Sequence, residues 1–278
     1  MVTYAPPGGA QGRALPRLLV SVRAASEVHA ALRGGADILD AKEPSAGPLG
    51  RPSAGVLAAI AAEVPDGVPF SVALGDLRSP VEARAVVRRA AGMPGGPRWL
   101  KAALAEATDA AEVERVARAG ASAVAEHAPT AGFVLALYAD RPFDPALATP
   151  AGSARLAAAG VAGVLVDTAS KHGERLVDRC ALAQLVEWVG CWRDAGLLVA
   201  LAGRLDAEAI ARLRPVAPDI LGVRGAACDG GRDGHVSEAR VRALRDALGY
   251  APSSAGRAPA SAAASSVTST PSGSATGK

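Results

Sequence analysis

Short apolar runs alternate along this chain with longer amphipathic ones. Eight runs have the length and composition of β-strands: Arg17–Val22, Ala36–Lys42, Pro69–Gly75, Arg98–Leu104, Phe133–Ala139, Gly163–Asp167, Leu197–Leu201 and Asp219–Val223. Between them, apolar residues recur at helical spacing in Glu27–Arg33, Ser53–Val64, Pro80–Ala91, Asp109–Ala119, Ser153–Ala159, Leu176–Asp194 and Ala207–Leu213. Ser237–Leu248 follows the last strand. Several of these segments open on Pro, Asp or Ser and close on Gly, the punctuation expected of helix ends. The stretch Ala121–Ala125 is also a candidate short strand.

Apolar strands alternating with helices predict an α/β protein whose parallel sheet is covered on both faces. Eight strand–helix units over residues 17–250 match the count of a (β/α)8 TIM barrel, a single domain of about 250 residues. The competing architecture is a doubly wound open sheet, which usually carries a Gly-rich phosphate turn after its first strand. Here that strand is followed by Arg23-Ala24-Ala25-Ser26 instead. Residues 1–16 read as a loose N-terminal arm. From Ala251 the chain is almost entirely Ala, Ser, Thr, Pro and Gly, a composition that buries no core and predicts a disordered tail over 251–278.

Half of the residues are hydrophobic, but only 3% are aromatic, which suits close helix-on-sheet layers of small side chains. The net charge of +3 is small, and basic residues interleave with Asp and Glu along the helices, so no nucleic-acid surface is expected. The three cysteines, Cys180, Cys191 and Cys228, are odd in number and lack metal-ligand spacing. Cys180 and Cys191 fall within one long helical segment. A reduced, cytoplasmic setting is expected. No run approaches the roughly 18 apolar residues of a membrane-spanning helix, and the N-terminus lacks the pattern of a secretory signal.

The candidate chemistry lies in the lysines. The chain has 30 Lys and Arg together, and only four are Lys: Lys42, Lys101, Lys171 and the terminal Lys278. The first three stand at the ends of strand-like runs two, four and six. A barrel places its active site at the C-terminal ends of its strands, and alternate strands feed one layer of side chains. The three amines are therefore expected in one space. Asp40 and Lys42 are two apart on a strand, which puts them on one face, carboxylate near amine. Asp167 and Lys171 are expected to meet through the loop after strand six. An amine that condenses with a carbonyl has to be Lys and not Arg. A free lysine, with a pKa of about 10.4, is neutral only about once in a few thousand at pH 7. Burial and neighbouring cations lower that value.

The loops after strands seven and eight, with Gly203-Arg204 and Arg224-Gly225, combine small residues with Arg and read as a phosphate site, extended by the Gly-rich stretch Asp229–Gly234. His29 reads as a helical surface residue and His235 as the start of the last helix. His127 and His172 are loop candidates, and His172 stands beside Lys171. No histidine pair has metal-ligand spacing, and neither a metal nor an organic cofactor is expected.

The runs Leu18–Val22, Gly34–Pro44 and Gly47–Gly50, with Ala73–Asp76, the strand ending at Lys101, Asp167–Lys171 and Gly222–Ala226, together resemble the (5-formylfuran-3-yl)methyl phosphate synthases of methanofuran biosynthesis, also called 4-(hydroxymethyl)-2-furancarboxaldehyde-phosphate synthases. The likeness covers about residues 18–248, and the segments around Lys42 and Lys171 are its specific part. It implies a (β/α)8 barrel and a carbon–oxygen lyase that condenses two molecules of glyceraldehyde 3-phosphate, losing phosphate and water. It further implies a Schiff-base lysine at Lys42, a proton acceptor at Lys101, functional roles for Asp40, Asp167 and Lys171, and a homo-oligomer. His172 departs from the acidic residue often found there. Two other readings stand beside it: a Schiff-base aldolase for a different sugar phosphate, and a catalytically silent barrel that binds a phosphorylated metabolite.

Overall fold

A computed structural model describes residues 15–92, 96–104 and 109–249. The expected arm before residue 15 and the tail from 251 lie outside the described residues. Eight strands run in chain order around a closed, wholly parallel barrel: β1 (Arg17–Val22), β2 (Ile38–Ala41), β3 (Phe70–Leu77), β4 (Trp99–Leu104), β5 (Gly132–Tyr138), β6 (Val161–Asp167), β7 (Leu198–Leu201) and β8 (Ile220–Val223), with β8 returning to pair with β1. This is the (β/α)8 architecture, and the open-sheet alternative falls.

Helices α1 (Val28–Arg33), α2 (Ala54–Glu63), α3 (Pro80–Ala91), α4 (Ala110–His127), α5 (Pro150–Ala158), α6 (Leu176–Arg179), α7 (Leu182–Asp194), α8 (Ala207–Leu213) and α9 (Glu238–Ala247) cover the outside. A two-stranded hairpin, β9 (Cys228–Asp229) with β10 (His235–Val236), interrupts the passage from β8 to α9. The punctuation expected of the sequence is used. Ser53, Ser79, Asp109, Thr149 and Asp206 each accept a backbone N–H in the first turn that follows, and Pro80 and Pro150 open their helices.

Strand alternation sorts the core into two layers. Outward residues such as Leu18, Val20 and Val22 pack with the helices. Inward residues, among them Leu19, Ile38, Trp99, Val134, Leu165, Leu198 and Ile220, fill the barrel interior. Several of these begin their strands, so the barrel is plugged with apolar side chains at its N-terminal end. Its polar inward residues then collect at the other end.

Several expectations from the sequence fail here. Ala121–Ala125 is no strand; α4 runs on through it to His127, so His127 ends a helix and does not lie in a loop. By propensity alone, Gly120 reads as a stop for the helix that precedes it. In the fold Gly120 is the contact point of α4 with β5: a Cβ there would lie 2.7 Å from two ring carbons of Phe133. The segment Leu176–Asp194 is two helices, because Cys180 and Ala181 are extended. No Pro or Gly marks that break. At the start of the first of the two helices, Leu176 N–H is held by the Gly203 carbonyl at 3.0 Å, a contact with the loop after β7. His235 lies in β10, ahead of the last helix. No helix among the described residues is long and apolar enough to cross a membrane.

The packing at Gly120 carries a test of sign. Alanine is favoured over glycine by about 1 kcal/mol in a helix interior. Overpacking a close contact costs about 1–3 kcal/mol. Gly120→Ala is therefore expected to destabilise the protein, seen as a lower denaturation midpoint in urea, despite the better helix former. A rise in midpoint would show that the Phe133 ring yields without cost.

Candidate active site

One cavity of about 330 Å³ opens at the C-terminal end of the barrel, and Lys42, Lys101, Lys171, Asp40, Asp167, Gly203, Arg204, Arg224 and Gly225 all line it. Its floor is apolar, formed in part by Leu19, Trp99, Val134, Leu198 and Ile220. Each polar side chain is placed by strand geometry. Asp40 points inward from β2, with Ser21 of β1 and Ser71 of β3 as its register partners on either side. Both serines donate to it: Ser21 Oγ to Oδ2 at 2.9 Å and Ser71 Oγ to Oδ1 at 2.7 Å. Lys101 reaches in from β4, and its Nζ lies 2.8 Å from Asp40 Oδ1. Asp40 is 1% exposed and Lys101 7%.

The partner of Asp40 is thus Lys101, where the spacing along β2 had suggested Lys42. Side chains two apart on a strand share a face, but their tips need not touch. Lys101 arrives from two strands away at the right height, and a pair across strands wins.

Asp167 ends β6, and Lys171 folds back from the following loop as expected. Its Nζ donates to Asp167 Oδ1 at 2.8 Å and to the Thr168 carbonyl. The loop is tied by Asp140, whose carboxylate accepts from Ala169 N–H at 2.6 Å and Ser170 N–H at 2.7 Å. Burial alone would push the Asp167 carboxyl up, but the Lys171 and Lys42 cations outweigh it and hold it below the usual carboxylate range.

Lys42 is different. It follows the last residue of β2, is 7% exposed, and its amine makes no hydrogen bond or ion pair among the described residues. Burial lowers its pKa to about 7. The Asp167 and Asp40 carboxylates oppose this, and the Lys171 and Lys101 cations add to it. Two lysines are clamped by carboxylates, while the third lines the same cavity with no close partner among the described residues.

The loops after β7 and β8, where a phosphate site was expected, differ from that expectation in one residue. Gly203 (φ 107°) and Arg204 (φ 55°) are consecutive left-handed residues. Gly203 packs so tightly on the β6 loop that a Cβ would lie 3.0 Å from Thr168 Cγ2. Arg204, strained as a non-glycine residue at positive φ, is exposed at the cavity mouth. Arg224 is a correction. Its guanidinium is buried and donates to Glu27 Oε2 (2.5 Å) and Oε1 (3.1 Å) and to the carbonyls of Ser21 (3.0 Å), Arg232 (3.1 Å) and Gly234 (2.7 Å). An arginine has five N–H bonds, and all are used. Arg224 has none left for a phosphate. It holds the hairpin to the barrel. Gly225 opens the short turn that follows.

Reading of the sequence missed Ser21, Ser71 and Arg232. The serines carried a signal: each interrupts an apolar strand at an inward position. Arg232 sits in a Gly-rich run that gave no hint of the hairpin. His172 is exposed and does not line the cavity. Among the described residues, no group of three His, Cys, Asp or Glu side chains is placed to hold a metal ion.

Comparison with known proteins completes the description. A family model described as 4-HFC-P synthase matches residues 18–245. A (5-formylfuran-3-yl)methyl phosphate synthase from Methanopyrus kandleri is 36% identical over 237 residues, covering 84% of this chain and 99% of that protein. Another, from Methanococcus maripaludis, is 33% identical over 231 residues, covering 82% of this chain and 97% of that one. Among solved structures, KGPDC from Streptococcus mutans aligns with a TM-score of 0.57 at 15% identity, covering 85% of this chain and 98% of that chain. At that identity the likeness is one of fold. With the family model matched over residues 18–245 and relatives of this identity along nearly their whole length, the chain belongs to the 4-HFC-P synthase family.

Proposed function

We propose that this protein is a lyase that condenses two molecules of glyceraldehyde 3-phosphate to (5-formylfuran-3-yl)methyl phosphate, with release of one phosphate and two waters, in the biosynthesis of a methanofuran-type cofactor. The observation that carries this reading is the state of Lys42: a buried amine without a hydrogen-bond or ion-pair partner among the described residues, within electrostatic reach of two ion-paired lysines. With a pKa of about 7, half of it is neutral at pH 7. A free lysine is neutral about once in a few thousand. The gain in nucleophile is on the order of 10³-fold.

The neutral amine attacks the carbonyl of one triose phosphate, and loss of water leaves an iminium. The iminium draws electrons from the adjacent carbon and acidifies its proton. Lys101 stands as the acceptor. Its Nζ is held 2.8 Å from Asp40 Oδ1, which fixes the amine in place for that transfer. The resulting enamine carbon attacks the aldehyde of the second triose. Lys171, held by Asp167 and the Thr168 carbonyl, remains a fixed cation that keeps the Lys42 amine from protonating and stabilises developing negative charge. Gly203, Arg204 and Gly225 line the same cavity, which supports a role for them in meeting a substrate phosphate.

Borohydride reduction in the presence of glyceraldehyde 3-phosphate is expected to attach a triose phosphate to Lys42, located by peptide mapping, and Lys42→Arg to abolish both the adduct and the furan absorbance of the product. A label on another lysine would overturn the assignment, and adduct without furan would favour a different aldolase. Lys101→Gln is expected to lower kcat by about 10²–10⁴-fold. Its borohydride adduct should persist, since the amine that forms it is untouched. The pH dependence has a definite sign. Because the neutral amine reacts, kcat/KM should rise about tenfold per unit below pH 7 and level off above it. For stability, Lys42 binds its proton more weakly folded than unfolded, so between about pH 7 and pH 10.5 the unfolded chain holds more protons and stability rises with pH. Lys42→Met should therefore raise the melting temperature, and by more at about pH 6 than at about pH 10.

A further inference from the structure

The charges around the cavity do not balance. Lys101 is matched by Asp40 and Lys171 by Asp167. Arg224 is matched by Glu27. Two arginines that line the cavity, Arg204 and Arg232, have no ion pair among the described residues. Arg204 is exposed at the rim, where water solvates it at little cost. Arg232 is not: its guanidinium is half-buried, and that burial holds its pKa below the ordinary arginine value. Removing a cation from water without a counter-charge is costly unless something else meets it.

Arg232 is held in place from several sides. It rides on the β9–β10 hairpin, whose turn uses Gly230 and Gly231, both at φ 79°. At Gly234, a Cβ would lie 1.7 Å from the Asp229 carbonyl oxygen, so the turn closes only on glycine. From below, Arg224 grips the carbonyls of Arg232 and Gly234. From the side, Arg232 Nη2 donates to the carbonyls of Pro44 at 3.1 Å and Gly47 at 2.8 Å, in the loop that leaves Lys42. Its Nε and Nη1 groups have no partner among the described residues, which leaves three N–H bonds unused. The opposing charge that acts most strongly on Arg232 is Asp167, the same carboxylate that acts most strongly on Lys42. The two side chains therefore share one neighbourhood within the cavity.

We propose that Arg232 is the ligand for the phosphate group of the triose held at Lys42, with Arg204 left to meet the second substrate at the rim. This rests on the Schiff-base reading above. A phosphate monoester carries the charge that Arg232 lacks and the oxygen acceptors that Nε and Nη1 require. It also explains why the Gly-rich run is folded into a hairpin: the turn carries one guanidinium over the amine and fixes it to the loop of that amine.

Two measurements test this separately from the chemistry. Glycerol 3-phosphate has the phosphate but no carbonyl, so it reports the anion site without imine formation. By calorimetry, Arg232→Gln is expected to weaken its binding by about 10- to 100-fold, the loss of charge-assisted hydrogen bonds. Arg232→Lys, which keeps the charge without the Pro44 and Gly47 anchors, should fall between. Unchanged affinity in Arg232→Gln overturns the proposal. Borohydride trapping is then compared for glyceraldehyde 3-phosphate and unphosphorylated glyceraldehyde. Arg232→Gln should need a higher concentration of the phosphorylated substrate and trap glyceraldehyde as the native protein does. Loss of trapping with both would mean that Arg232 acts only by shaping the Lys42 loop, and overturns the proposal. If the native protein traps neither aldehyde while glycerol 3-phosphate binding still depends on Arg232, the Schiff-base reading fails and the anion site stands.

Discussion

Two buried carboxylates engage two of the three lysines at the barrel mouth and leave the third without a close partner among the described residues. Asp40 and Asp167 are each almost fully enclosed, and each takes one lysine as its close partner, Lys101 and Lys171 respectively. A lone buried charge costs several kcal/mol, so each pair persists because its members neutralise one another and because Ser21, Ser71 and the Thr168 N–H occupy the remaining acceptor sites. With both carboxylates engaged elsewhere, Lys42 has no ion pair among the described residues; burial outweighs their pull on it, and it sheds its proton near neutrality. The protonation of one amine is thus set by its burial and by hydrogen bonds it does not make.

The same logic of matched charge supports the mouth of the barrel. The Arg224–Glu27 pair, 5% and 2% exposed, joins the end of β8 to the turn after β1, where the barrel closes on itself. It stabilises little by itself, since desolvation cancels much of the attraction. What it provides is placement. Arg224 also grips the carbonyls of Ser21, Arg232 and Gly234, so one buried guanidinium sets the hairpin against the strand that carries Ser21. The strap that crosses the site and the serine that holds Asp40 are fixed by one side chain.

Much of this was legible in the order of residues. Strand alternation is a local property, so the eight strands and their inward positions could be read from runs such as Arg17–Val22, whose span the structure reproduces. The lysines stood out because Arg outnumbers Lys so heavily. Helix ends were legible where a cap or proline marked them, as at Ser79-Pro80. They were not where packing decided. Gly120 is a breaker by propensity, yet α4 passes through it because the Phe133 ring fills the space a side chain would need. The break at Cys180 and Ala181 has no breaker in the sequence: both residues are simply extended between α6 and α7.

The sequence by itself determined the barrel, the end at which its chemistry gathers and the three amines that gather there, because period and composition are carried by neighbouring residues. Only the tertiary structure decided which carboxylate holds which amine. Asp40 is a near neighbour of Lys42 along the chain and distant from Lys101, but its partner is Lys101 at 2.8 Å. Arg224, expected to meet a phosphate, has no N–H bond left for one, while Arg232, which had no expected role, keeps three without a partner among the described residues. A guanidinium is a phosphate ligand only if its N–H bonds are free, and whether they are free depends on carbonyls and carboxylates brought in from the rest of the chain: Glu27 for Arg224, and Pro44 and Gly47, which occupy one nitrogen only, for Arg232.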